Sequence, residues 1–361
     1  MTEKRIYPAT EMNNGITLYN ALKPCGRILN LKAEGWTVWD CSPIYGADGR
    51  VHVFATRWPD NDRPDRTWYL GGSQMVHAIA PKPEGPYTVA DIVVACDGGD
   101  SRWDAAGVIN TKIYRVDGRY VLIYTGCASR RNDGSVMLPE NQAAKETQAI
   151  GMLTAESLDG PWMRVSDVAP LIASAPDRSG PDGIACNNPA LLQHPNGQFW
   201  MYYKGIQYPP GTTFTPGMEE GGGWCKPTAT ICLAVADRLE GPYRKQPANP
   251  VIGLDMIMQH GKVEDPYVWH DGRWFWLISN RVGTAPGPGG LLYRSSDGLR
   301  WEPPVPGYPS PADLWGRRQR LEEPNLLWRD GTPTHLFNVI GPCDEDPGYS
   351  GFVFAIESDK E

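Results

Sequence analysis

Asp40, Asn110, Asn188, Glu264 and the adjacent Glu322 and Glu323 stand seven or eight residues ahead of an Asp or Asn that is followed by Gly, at Asp48, Asp117, Asn196, Asp271 and Asp330. Four of these six side chains are carboxylic acids. A carboxyl crowded by other carboxyls and by apolar rings gains proton affinity, whereas one held by hydrogen-bond donors stays ionised. One acid of each kind, flanking a bond between sugars, is what glycosidic cleavage requires. Residues that only start strands or cap turns would be polar here too, but that role does not demand carboxyls recurring at one register.

The elements that position these residues are marked by their turns. Five segments share a polar opening, an apolar run, a Gly-centred turn and an aromatic-rich return: WDCSPIYGADGRVHVFATRW (39–58), VINTKIYRVDGRYVLIYTG (108–126), NNPALLQHPNGQFWMYYKG (187–205), EDPYVWHDGRWFWLISN (264–280) and EEPNLLWRDGTPTHLFNVIG (322–341). Asp-Gly or Asn-Gly between such runs is β-hairpin chemistry. A second hairpin follows in the first four units, turning at Glu84-Gly85-Pro86, Asp159-Gly160-Pro161, Glu240-Gly241-Pro242 and Asp297-Gly298-Leu299. Two hairpins per unit make four antiparallel strands, which is a propeller blade. The predicted fold is all-β: a five-bladed β-propeller of four-stranded antiparallel blades around a central channel, spanning 36–361 after an N-terminal extension, 1–35. The last unit ends in FVFAIES, enough for one further strand, so the N-terminal stretch is expected to supply the strand that blade five lacks. The short turns then lie on one face. The long stretches 127–149, 163–186, 206–228, 244–263 and 302–320 lie on the other, where the innermost strands begin, and long loops on a rigid scaffold are the usual place for a site.

The stretch from about Trp36 to Ile340 resembles the five-bladed glycoside hydrolases of families 43, 32 and 117 and their unclassified relatives. WDCSPI with VHVFATRW, the EGPY and DGPW turns, and EDPYVW carry the resemblance. It implies a base at Asp40, from the first blade, and an acid at Glu264, from the fourth. The third blade of family 43 supplies an Asp that sets the proton affinity of the acid, and here that position is Asn188. Asp104 in RWDAAG and Asp265 are the candidate substitutes. Family 117 uses a His as its acid, which makes His260, four residues before Glu264, a rival; where those chains open blade two with His-Asn-Pro, this one has Ile109-Asn110-Thr111. Some relatives hold a calcium or sodium ion in the channel. The expected chemistry requires no cofactor, and the sequence carries neither HExxH nor an EF-hand loop to assign metal ligands.

Around the expected mouth, Trp39 beside Asp40, Trp103 beside Asp104 and Trp224 in GMEEGGGWCKP are candidate platforms for the apolar face of a sugar, with blade packing the alternative for the first two. Asn110, Asn187, Glu322 and Glu323 complete the expected substrate-binding set. Arg318, in a run with Arg317 and Arg320, offers guanidinium forks for an anionic sugar, or is solvated surface charge. The bias to 14 Trp and 16 Tyr over 7 Phe suits either sugar-stacking walls or an all-β core. A formal net charge of −8 excludes a general nucleic-acid-binding surface. No run of 18 apolar residues exists to cross a membrane, and the first residues lack the apolar core of a signal peptide, so a cytoplasmic protein is expected. Eight cysteines without a CxxC pair are expected to be reduced. The reading is an exo-acting, inverting glycoside hydrolase of a small plant or algal oligosaccharide, its pocket closed by the long rim loops. A glycoside phosphorylase, a retaining enzyme with Asp40 as nucleophile, and a non-catalytic sugar-binding propeller are the alternatives, the last kept open by Asn188. The extension 1–35 is the segment through which a homo-oligomer would form.

Overall fold

The computed structural model describes residues 18–60, 72–96, 102–128, 147–174, 180–207, 228–282, 289–317, 319–342 and 348–357. After strand β1 (Leu22–Ile28), β2 (Trp36–Tyr45), β3 (Val51–Pro59), β4 (Gln74–Ala80) and β5 (Thr88–Ala95) form one antiparallel sheet. The next is β6 (Gly107–Val116), β7 (Arg119–Cys127), β8 (Ala149–Ala155) and β9 (Met163–Arg164). A third is β10 (Ala185–Gln193), β11 (Phe199–Gln207), β12 (Thr228–Ala236) and β13 (Arg244–Lys245). A fourth is β14 (Lys262–His270), β15 (Phe275–Val282), β16 (Gly290–Ser295) and β17 (Val305–Tyr308). The fifth runs β18 (Leu321–Arg329), β19 (Thr332–Ile340), β20 (Ser350–Ile356) and then β1, so residues 22–28 belong to a propeller sheet and not to a separate extension. These five four-stranded sheets make a five-bladed β-propeller, as the turns predicted.

Local chemistry explains the hairpins. At Asp117-Gly118 and Asp330-Gly331 both residues are left-handed, with φ of 49° and 85° in the first and 51° and 75° in the second. That is the two-residue turn whose twist matches the strands it joins. Apolar side chains then fill the spaces between neighbouring sheets. Tyr202, Ile231 and Trp200 of blade three pack with Val268, Leu277 and Tyr293 of blade four. Similar layers join blades four and five, two and three, five and one, and one and two. Several tryptophans that could have faced sugar are instead buried in these layers, Trp276 with no exposed surface.

A bulge interrupts the inner strand of every blade. The pairing register slips between Trp39 and Ser42, Ile109 and Lys112, Asn187 and Ala190, Glu264 and Tyr267, and Glu322 and Asn325. The residue after the first of each pair is left-handed: Asp40, Asn110, Asn188, Asp265 and Glu323, with φ of 61°, 58°, 46°, 56° and 53°. A bulge with a left-handed residue re-aims its side chain, and Asn and Asp tolerate that conformation better than most.

Candidate active site

The bulges bring one side chain from each blade into a buried cluster. Asp40, Asn110, Asn188, Asp265 and Glu323 are between 0% and 5% exposed. Asn110 Nδ2 donates to Glu323 Oε1 at 2.5 Å and Asn188 Nδ2 donates to the same oxygen at 2.9 Å. Blades two and three do not adjoin blade five, so these bonds span the central channel. Asn188 Nδ2 also donates to Asp265 Oδ1 at 2.5 Å, and Glu323 N donates to Asp265 Oδ2 at 3.2 Å. Asp40 Oδ2 accepts from Thr56 Oγ1 at 2.5 Å and from Thr111 N at 3.0 Å. Its other oxygen, Oδ1, is buried and has no hydrogen-bond partner.

Burial, and then the neighbouring Glu323 carboxylate, raise the pKa of Asp40 to about 8, against the opposing bonds from Thr56 and Thr111. Asp265 is pushed well above the ordinary range by burial and then by Glu323 and Glu264. Just before the bulge residues stand Trp39, Ile109, Asn187, Glu264 and Glu322, which form a second, outer tier. Glu264 keeps 24% of its side chain exposed and is paired with Lys204 Nζ. Glu322, 7% exposed, is raised to about 7 by burial, partly offset by the Arg320 guanidinium 3.5 Å away and reinforced by Glu264 and Glu323. Asn187 is held by Gln148, and Trp39 packs against Trp58 and Tyr349.

The bulges revise the register counted from the turns. Glu264 is not the counterpart of Asp40; Asp265 is, and Glu264 and Glu322 share the position of Trp39. Hairpin loops of unequal length made the count unreliable by one residue. The residues that counting missed are Lys112 and Lys204, cations buried beside the carboxyls. A single Lys within the otherwise uncharged opening VINTKIY was the visible signal of Lys112.

Two expected residues lie elsewhere. Asp104 is wholly buried but accepts from Arg102 Nε at 3.0 Å, Arg164 Nε at 2.9 Å and Tyr124 OH at 2.8 Å, all in its own blade. Asp182 repeats the pattern in blade three with Tyr203 OH at 2.7 Å and Lys245 Nζ at 2.6 Å. The recurrence marks a blade anchor that ties an inner connector to an outer strand, so Asp104 does not join the channel carboxyls. Trp103 belongs to the same anchor: its ring lies near Gly126 and Gly151, where a side chain would collide with it, and stacks on Tyr124. His260 ends a short helix, Leu254–His260, two residues before β14, which places it on the same mouth as Glu264. Trp224 and Arg318 lie outside the described residues.

At the opposite end of the inner strands a cavity of about 480 Å³ is lined by Tyr114, Tyr267, Trp269 and Trp328. Among the described residues that line it the one carboxyl, Asp271, is engaged by Arg273 N, Trp274 N and Trp276 Nε1.

Fold and site together define a five-bladed propeller with a ring of buried carboxyls and amides across its channel. Solved structures that share the architecture include a family 117 glycoside hydrolase from the marine bacterium Zobellia galactanivorans, at 15% identity and a TM-score of 0.66 over 94% of this chain and 91% of that one. A thermostable family-43 glycoside hydrolase matches at 12% identity and 0.57 over 89% of each chain. A GH43_1 enzyme from Xanthomonas citri, solved in complex with xylotriose, matches at 12% identity and 0.51 over 91% of this chain and 89% of that one. No protein-family model matches the chain, and no curated protein matches it. At these identities the likeness shows the fold.

Proposed function

We propose that this chain is a glycoside hydrolase whose chemistry is carried by Asp40 and Glu264. The observation that supports this most directly is the bare, buried Oδ1 of Asp40 in a cluster of carboxyls, with the half-open Glu264 on the neighbouring tier. A buried acceptor left without a partner costs free energy, and such sites persist where a ligand or water completes them. Asp40 is the base that activates water, and Glu264 protonates the leaving oxygen. A base of raised proton affinity is a strong one in its ionised form. The substrate is a glycoside, cleaved with inversion from the end of a small plant or algal oligosaccharide in the cytoplasm. Glu322, whose proton affinity lies near neutrality, and His260 are the rival acids on the same mouth. Asn110, Asn187, Asn188, Glu322, Glu323 and Trp39 contact the sugar or hold the groups that do, and Trp224 and Arg318 remain in the proposed substrate-binding set.

Glu264→Gln tests the assignment. Purified protein is first screened on aryl glycosides and defined oligosaccharides for product release. On a poor leaving group the variant should lose about 10²- to 10⁴-fold in turnover, and on a nitrophenyl glycoside much less. Asp40→Asn should abolish turnover on both. Undiminished activity of Glu264→Gln on both substrates would move the acid to Glu322 or His260. Sugar binding with no hydrolysis of any substrate would leave a binding module in place of an enzyme.

A further inference from the structure

Lys112 has no exposed surface, and its Nζ lies 3.3 Å from Glu323 Oε2, across the channel from blade two to blade five. Burying an ammonium costs several kcal/mol unless it is paired and hydrogen-bonded. Here Glu323 lies against it, and its charge also acts on Asp40. Glu323 itself is held left-handed, a conformation that costs a non-Gly residue about 1–2 kcal/mol and that persists where surrounding contacts over-determine it. Three donors converge on its side chain, from Asn110, Asn188 and Lys112. Among the described residues no group of three His, Cys, Asp or Glu side chains gathers to hold a metal ion, and the ammonium is already against Glu323. The donor set therefore does not fit a channel metal.

We infer that Lys112 is a positioning residue and the channel's resident cation: it anchors Glu323 and, through Glu323, acts on Asp40, where some proteins of similar sequence pattern hold an inorganic ion. Asp40 faces Glu323 from β18, Lys112 and the Thr111 amide from β6, Thr56 from β3, and Cys41 on its own strand. Glu323 in turn faces Asp265 and, further out, Lys204 and Glu322. A negative Glu323 favours the protonated form of Asp40, and the Lys112 ammonium opposes it with the smaller effect. Loss of the ammonium alone must therefore strengthen proton binding at Asp40. Loss of both charges must weaken it.

The inference rests on Asp40 being the base, so its primary measurement does not need turnover. The Asp40 carboxyl is followed by carbon-13 NMR through a pH titration of the full chain, and the pH dependence of kcat/KM is read beside it. Lys112→Met should move the Asp40 midpoint up by about one pH unit. Lys112→Met/Glu323→Gln, which leaves no unpaired charge and so carries the test if the single variant does not fold, should move it below the wild-type value. The opposite signs are a signature that a merely structural lysine would not give. At constant ionic strength, calcium chloride, sodium chloride and EDTA should leave the wild-type midpoint in place. Unmoved midpoints in the folded variants, or a wild-type midpoint that follows calcium, sodium or EDTA, overturn the inference. Midpoints that move as stated in a protein that hydrolyses nothing support it and sink the proposed function instead.

Discussion

Asp40 shows how a buried carboxyl strains the fold that holds it. Its pKa is raised from the ordinary carboxyl range to about 8, with burial the leading cause and Glu323 the next. The folded chain thus holds a proton that the unfolded chain gives up near pH 4. A raised folded value means that the contribution to stability is fully present below the unfolded pKa and is lost progressively as pH rises to the folded one. Asp40→Asn keeps an oxygen for the Thr56 and Thr111 donors and cannot ionise. It should therefore melt a few degrees above wild type at pH 8–9 and close to it at pH 4, while turnover is abolished. Calorimetry across that range checks the first part and product release the second. In the wild type, kcat/KM should rise through about pH 8 as the base ionises. A fall there would make Asp40 the acid.

At the scale of elements, the inner-strand bulge decides which residues meet. Hairpin turns and blade count were legible because Asp-Gly and Asn-Gly dipeptides and alternating apolar runs fix them locally, and the N-terminal strand of blade five followed from the one strand the last unit lacks. Asp40, Asn110 and Asn188 were legible for the same reason. The bulge was not: it inserts a residue without a sequence signature of its own, and one residue exchanges Glu264 for Asp265 in the ring. Nor could spacing show that Asp104 is also neutralised by Arg164, since that contact depends on β9 folding back beside its blade. The anchor makes its own prediction. Asp104→Asn should destabilise the fold by about 1–3 kcal/mol, the cost of weakening a buried charge-assisted network, and leave the Asp40 midpoint unchanged. If Asp104 instead tuned the channel carboxyls, the midpoint would shift in the folded variant.

For the whole molecule, the decisive feature is that β1 completes the sheet made by β18, β19 and β20. Leu22 and Ile28 of β1 are buried, and Arg27 donates to Gly341 O at 2.6 Å, Gly348 O at 2.9 Å and Ser350 Oγ at 3.0 Å. Deleting residues 1–28 strips those contacts and leaves β20 as an open edge, a template for pairing between chains. The truncated protein should melt earlier and elute as aggregates on size exclusion. An unchanged melting curve and a monomeric peak would show that β1 is dispensable. The same connection orders events in time. During synthesis the first strand emerges long before its partner, and blade five, which carries Glu323, is the last to be made. Asn110 and Asn188 lack the Glu323 oxygen that both donate to until then, so a growing chain with four blades already built still has an unfinished centre. The channel cluster is assembled in the same act that closes the ring.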